Sequence, residues 1–225
     1  MWGFKSPLGH TTDSNPRLRA ATTHCFAYRH EMDEIRYMTE NTQHPSVMRV
    51  QSALRAAGYP DDIRWLEESA RTAAQAAEAL GIDVGQIASS IVFCTPANAD
   101  PDAGTHTSDA NPHRHPVLVI TSGRHRVETR LVEEFLGTPL ATVDADFVRA
   151  WSGFAIGGVA PIGWHNDPDL TDAAVLSECL TVIVDRALAQ HETVWAAAGH
   201  PHTVFPTSFN DLVSMTGGTP LTIGD

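Results

Sequence analysis

Residues 152–164 read SGFAIGGVAPIGW, with four glycines, one proline and no charged side chain. A strand interior disfavours so many glycines, and a solvated loop would carry more polar residues. Glycine has no Cβ, so the stretch can adopt positive φ and let another group approach its backbone closely. Successive N–H groups of such a turn can point the same way and cradle an anion or a carbonyl oxygen, with Pro161 fixing the exit. A β-bulge, or a tight corner where two elements cross, uses the same composition. On the stretch alone both readings stand.

Outward from it the chain is a series of short elements. Upstream, DADFVRAW (144–151) and ETRLVEEFLG (128–137) have helical period, the second closed by Gly137. SSIVFC (89–94) and HPVLVIT (115–121) have strand character, and the polar, Pro- and Gly-containing insertion between them reads as a mobile hairpin loop. Ser122-Gly123 then turns the chain back into RHRVE (124–128). Earlier, SVMRVQSALRAAG (46–58) sets Val47, Val50, Ala53 and Leu54 on one helical face and stops at Gly58. An extended or turn segment surrounds Trp65, and an Ala-rich helix from Thr72 to Leu80 ends at Gly81. DVGQ (83–86) has the spacing of a capping box. Downstream, CLTVIVD (179–185) is a strand ending at Asp185, and TVWAAAGHPHTVFP (193–206) is two strands around a Gly199-His200 turn. SFNDLVSMTGG (208–218) is a helix capped by Ser208. Helices and strands alternate without a strict βαβ repeat, which predicts an α+β fold with a mixed sheet flanked by helices, a single compact domain over residues 45–225. Residues 1–44 lack a sustained period and read as a poorly ordered extension.

The 225-residue chain carries a formal net charge of −12. Basic and acidic side chains balance over residues 1–44, so the excess sits in the domain. That argues against a bulk electrostatic nucleic-acid binder. No apolar run reaches the length of a membrane span, and the N-terminal residues lack the apolar core of a secretory signal. Cys25, Cys94 and Cys179 form no C-x-x-C pair, which fits a reduced, cytoplasmic protein. None of the 12 histidines forms H-x-x-x-H; His113 and His115 lie in a polar loop, and no metal site is indicated.

Five segments taken in order, AAQAAEALGIDVGQIASSIVF, PVLVITSG, GFAIGGVAPIG, VIVD and AAAGHPHTVFPTSFNDLVSMTGG, resemble the YbaK-like, prolyl-tRNA editing domain family of aminoacyl-tRNA deacylases, across about four fifths of the chain. The resemblance implies a compact α+β domain with a strongly curved mixed sheet. It implies hydrolysis of the ester joining a wrong amino acid to tRNA, often tRNA for proline, without cofactor. The implied partners are the acceptor end of mischarged tRNA and, as an open question, an aminoacyl-tRNA synthetase. Gly157 and Pro161 match the family's G-x-x-x-P element, whose backbone holds the aminoacyl group. Asp185 and His200 (after Gly199) fall where the family has a pocket aspartate and the histidine of a Gly-His pair. Where the family commonly has a lysine before the first strand, this chain has Ser89, and its only lysine is Lys5. The expectation is that position 89 lies beside the glycine cradle and that a cation is missing there.

Ester hydrolysis needs a positioned water and donors for the oxyanion. The N–H groups of Gly158 to Ala160 are the candidate donors. The resemblance implies that a ribose hydroxyl of the tRNA activates the water, and the sequence offers no G-x-S-x-G nucleophile. Asp185 reads equally as the cap of RALAQ, and His200 as a solvated turn histidine. Arg124, Arg126 and Arg130 with His125 form a local basic cluster, either facing acceptor-stem phosphates or simply solvated. Two functions follow: a trans-acting deacylase, and an aminoacyl-tRNA or amino-acid binding module without turnover, which Ser89 favours.

Overall fold

A computed structural model of the chain describes residues 44–95, 115–164 and 180–224. The expected extension, all but His44, lies outside these residues, as do His113, Cys25, Cys179 and most of the insertion after Cys94. Helix α1 (Pro45–Ala56) starts with proline at a position whose N–H would be unused anyway and buries Val47, Val50 and Leu54. After β1 (Arg64–Trp65), α2 (Ala73–Leu80) opens with a capping box between Thr72 and Gln75 and closes on Gly81 at φ +66°. A second box, Asp83 with Gln86, holds the 3-10 turn Val84–Gln86 that feeds β2 (Ile87–Cys94).

Strand β3 (Pro116–Ser122) returns antiparallel along β2, and Thr95 N–H donates to His115 O at 3.0 Å, closing the base of the expected hairpin. The chain turns at Ser122-Gly123, but residues 124–128 run as a loop into α3 (Thr129–Leu136) instead of forming a strand. The short β4 (Ala141–Thr142) and α4 (Ala145–Ser152, capped by Asp144) follow. Then come β5 (Thr181–Asp185), a 3-10 turn (Arg186–Gln190), β6 (Val194–Ala197), β7 (Thr203–Thr207), α5 (Phe209–Thr216, capped by Ser208) and β8 (Thr219–Leu221).

The eight strands form one mixed sheet in the order β1-β7-β6-β2-β3-β5-β8, with β4 against the far end of β2. The pairs β2–β6, β3–β5 and β5–β8 are parallel, the others antiparallel. Every residue of β3 is buried, as a strand covered on both faces requires. On one face Ala88, Leu118, Ile120, Val184 and Ala196 pack with Val50 and Leu54 of α1, Val148 of α4, Leu212 of α5, and with Phe154, Val159 and Ala160 of the glycine stretch. On the other, Phe93, Val119 and Ile183 meet Val132 of α3, while Ile87 and Trp195 meet Ala76 and Ala77 of α2. The α+β fold expected from the sequence is the fold observed. Among the described residues no helix is long and apolar enough to cross a membrane.

Candidate active site

The glycine stretch leaves α4 through Gly153 at φ +69° and is tied at both ends by one side chain from α1. Arg49 Nε donates to Gly163 O at 2.7 Å and its Nη2 to Ser152 O at 3.2 Å, with the guanidinium 4.4 Å above the ring of the fully buried Phe154. Burial holds the Arg49 pKa below its ordinary value, yet an arginine stays charged, and its planar fork suits two carbonyls at once. Between these anchors, Gly158 N–H donates to Ala155 O at 3.0 Å, closing a four-residue turn with Gly157 at φ +88° in third position. That position of a type II turn calls for glycine.

Gly158 serves a different purpose. A Cβ on it would lie 2.8 Å from both Cα and N of His200, so two backbones touch there. The stretch is therefore a corner where two segments meet. Val159 and Ala160 are 5% and 0% exposed, and among the described residues neither N–H has a hydrogen-bond acceptor. Buried amides are nearly always paired, so these two are the free donors of the site. The Gly158 N–H, expected to be a third, is consumed by the turn. Ala160 O accepts from Trp164 Nε1 at 2.7 Å, which fixes the plane of the peptide that follows.

The opposing turn is built as tightly. Gly199, at φ +92°, lies so close to α1 that a Cβ would sit 2.7 Å from Ser46 O. Thr203 Oγ1 accepts from His200 N–H (3.1 Å) and donates to His200 O (2.9 Å). His202 N–H donates to His200 Nδ1 at 3.3 Å, which leaves the proton of the neutral ring on Nε2. His44, Trp65 and His202 surround that ring, with centroids 4.8, 5.5 and 5.4 Å away. His44 Nδ1 is buried and has no hydrogen-bond partner among the described residues. Burial first, then the neighbouring His44 and His202, lower the His200 pKa from its ordinary 6.5, so at neutral pH the ring is uncharged. Between the lowered folded value and 6.5 the unfolded chain binds more protons than the folded one, so stability fully present above 6.5 is lost as pH falls from there through the folded value. Melting temperature should therefore drop between pH 7 and pH 5, and His200→Asn should flatten that drop. An unchanged slope in thermal scans of the variant would remove His200 from the acid-sensitive groups.

The remaining expected residues lie elsewhere. Asp185, fully buried, accepts from Ala187 N–H with Oδ1 (3.0 Å), and with Oδ2 from Ser122 N–H (3.1 Å) and His125 Nδ1 (2.9 Å). It is the cap of the turn after β5 and the anchor of the end of β3, and none of its partners belongs to the glycine stretch. Ser89 also faces away. Strand alternation sets it with Ile91 and Phe93 on a cavity shared with Thr121, His125 and Arg126, while its neighbour Ala88 packs with Val159 and Ala160. The expectation that position 89 lies beside the glycine cradle is thus corrected. Ser90, on the side of the strand that faces the glycine stretch, has a buried hydroxyl with no partner among the described residues. Arg124 is bound to Asp83 at 2.6 Å and holds that exposed carboxyl below its usual range; Arg130 faces Glu134 at 3.8 Å.

The structure thus brings together Gly157, Gly158, Ala160, Pro161, Gly199 and His200, and separates from them Ser89, Asp185, Arg124 and Arg126. Arg49, His44, Trp65 and His202 join the first group without having been expected. No local pattern marks Arg49, one residue before a core valine; Trp65 reaches His200 through the pairing of β1 with β7, and His44 through the packing of α1 on the Gly199 turn. Among the described residues no group of histidine, cysteine and carboxylate side chains could hold a metal ion.

Comparison with known proteins agrees with this fold. A solved scaffold protein used for computational grafting of linear epitopes superposes with a TM-score of 0.64 at 30% identity, covering 80% of this chain and 98% of its own. A candidate trans-editing enzyme for prolyl tRNA synthetase gives 0.63 at 32% identity, covering 81% and 98%. The uncharacterised protein YwhH of Bacillus subtilis (strain 168) is 24% identical over 152 residues, 68% of this chain and 79% of that protein. The family model for the aminoacyl-tRNA editing domain matches residues 67–215, a span that begins just after β1 and holds both turns of the cradle. The chain belongs to the aminoacyl-tRNA editing domain family.

Proposed function

We propose that this protein is a trans-acting deacylase that hydrolyses the ester of mischarged tRNA, with tRNA for proline as the leading substrate. The observation that carries the reading is the pair of buried amides at Val159 and Ala160, unpaired among the described residues, in the stretch that meets the His200 turn at Gly158. Water attacks the ester carbonyl, the carbonyl oxygen becomes an oxyanion, and the alkoxide of the tRNA ribose leaves with a proton. Two preorganised amides suit that oxyanion, and one such donor is typically worth about 10²–10³ in kcat. The neutral His200, with its proton on Nε2, can donate to the bound ester or to the attacking water. The proline assignment is supported by the similar structure described as a candidate trans-editing enzyme for prolyl tRNA synthetase. The activity is assigned to residues 45–225, in the cytoplasm where charged tRNA is used.

Incubating the purified protein with a panel of mischarged tRNAs tests this. Loss of ester above background is expected for at least one amino acid on tRNA for proline. A second reading, binding of aminoacyl-tRNA without turnover, draws on the serine at position 89 and on the absence of lysine from residues 45–225. The same panel separates the two, because a binder would retard spontaneous hydrolysis where an esterase accelerates it.

A further inference from the structure

On the opposite face of β2 from the cradle lies a cavity of about 380 Å³. Polar groups on its lining include Ser89 from β2, Thr121 and Ser122 from β3, and His125 and Arg126 from the loop before α3; Ile91 and Phe93 with Val127 form an apolar wall. Ile91 is 39% exposed, one of the few large apolar side chains left open to solvent among the described residues. His125 is not an incidental surface group. Its Nδ1 is bound at 2.9 Å to the fully buried Asp185 carboxylate, which fixes the ring and leaves Nε2 as its only free nitrogen. Arg126 is exposed and makes no ion pair among the described residues, unlike Arg124 and Arg130 on either side of it. The Ser89 hydroxyl likewise makes no hydrogen bond among the described residues.

We infer that this cavity is a second ligand site, which takes the phosphate of a nucleotide. Three groups line it: the Arg126 guanidinium, the Nε2 side of an imidazole oriented by a buried carboxylate, and the Ser89 hydroxyl. They match the several oxygens of a phosphate better than the two of a carboxylate. The volume lies within the range of ligand pockets and exceeds what a bare anion fills, so the apolar wall is left for the nucleoside. The phosphate can come from a free nucleotide or from the backbone of tRNA, and the site is independent of the ester chemistry on the other face.

The test titrates the full chain with 5′-AMP, with inorganic phosphate and with uncharged tRNA, in wild type, Arg126→Gln and His125→Gln, with circular dichroism to show that each variant is folded. Arg126 is exposed, so its substitution leaves the core intact even if His125→Gln disturbs Asp185. A free-nucleotide site predicts saturable binding of 5′-AMP, weakened about ten- to a hundredfold by Arg126→Gln. A backbone site predicts no 5′-AMP binding, but weaker tRNA binding in the variant and a salt dependence shallower by about 0.7–0.9 for each phosphate no longer neutralised. If neither variant changes the binding of any of the three probes, the inference is overturned. Because ester hydrolysis is not the readout, that result leaves the deacylase reading standing.

Discussion

Gly158→Ala is expected to lower ester hydrolysis by about 10²–10³-fold in kcat while the protein stays folded. The methyl group has nowhere to go, because Cα and N of His200 lie 2.8 Å from its position and backbone cannot swing aside as a flexible side chain does. The glycine turn must back away from the His200 turn, and the amides of Val159 and Ala160 move with it. Overpacking of this kind costs about 1–3 kcal/mol, a few degrees of melting temperature in a domain of this size. Gly157→Ala is the control. There a Cβ finds only ordinary van der Waals neighbours, Arg71 Cα and Pro201 Cγ at 3.8 Å, so the penalty is the positive φ of +88° alone. The two variants should lose similar stability and unequal activity. Equal activity in a folded Gly158→Ala would mean that close approach of the two turns has no part in catalysis.

Asp185→Ala should do the reverse, destabilising the protein by about 3–5 kcal/mol, or roughly 6–20 °C in melting temperature, with little change in kcat/KM per folded molecule. The carboxylate is fully buried and accepts from Ala187, Ser122, Thr121 and His125, so its removal takes the acceptor from four donors and leaves His125 without its counterpart. Thermal unfolding and single-turnover hydrolysis on the same preparation decide the point. A variant that melts like wild type and no longer hydrolyses ester would return Asp185 to the reaction.

The contrast between these residues shows which parts of the molecule a sequence can express. Helix ends are readable because their signals are local: Thr72 with Gln75, Asp83 with Gln86, Asp144 and Ser208 at starts, Gly81, Gly137 and Gly217 at stops. Strand partners are not, because β2–β6 and β3–β5 are parallel pairs between segments far apart, and β3 is apolar on both faces and so names neither. The glycines of both turns can be picked out as special, but not the meeting of the turns. Position 89 shows the limit most sharply. The pairing Ala88↔Ser122 decides that Ser89 looks toward Thr121 and away from the cradle, and a register one residue different would reverse it.

The strand order has a kinetic side. β1 pairs with β7 across about 140 residues, and the cradle joins α1, the stretch after α4 and the turn after β6. The β2–β3 hairpin can form early, since its partners follow one another in strand order, but the corner where the two turns meet cannot exist until β6 and β7 have docked on β2 and β1. On the deacylase function proposed above, the site is completed only after β6 and β7 have been synthesised and have docked. Slow, non-local closure of this kind makes the appearance of activity a sensitive clock for the final stage of folding, later than any signal from helix content.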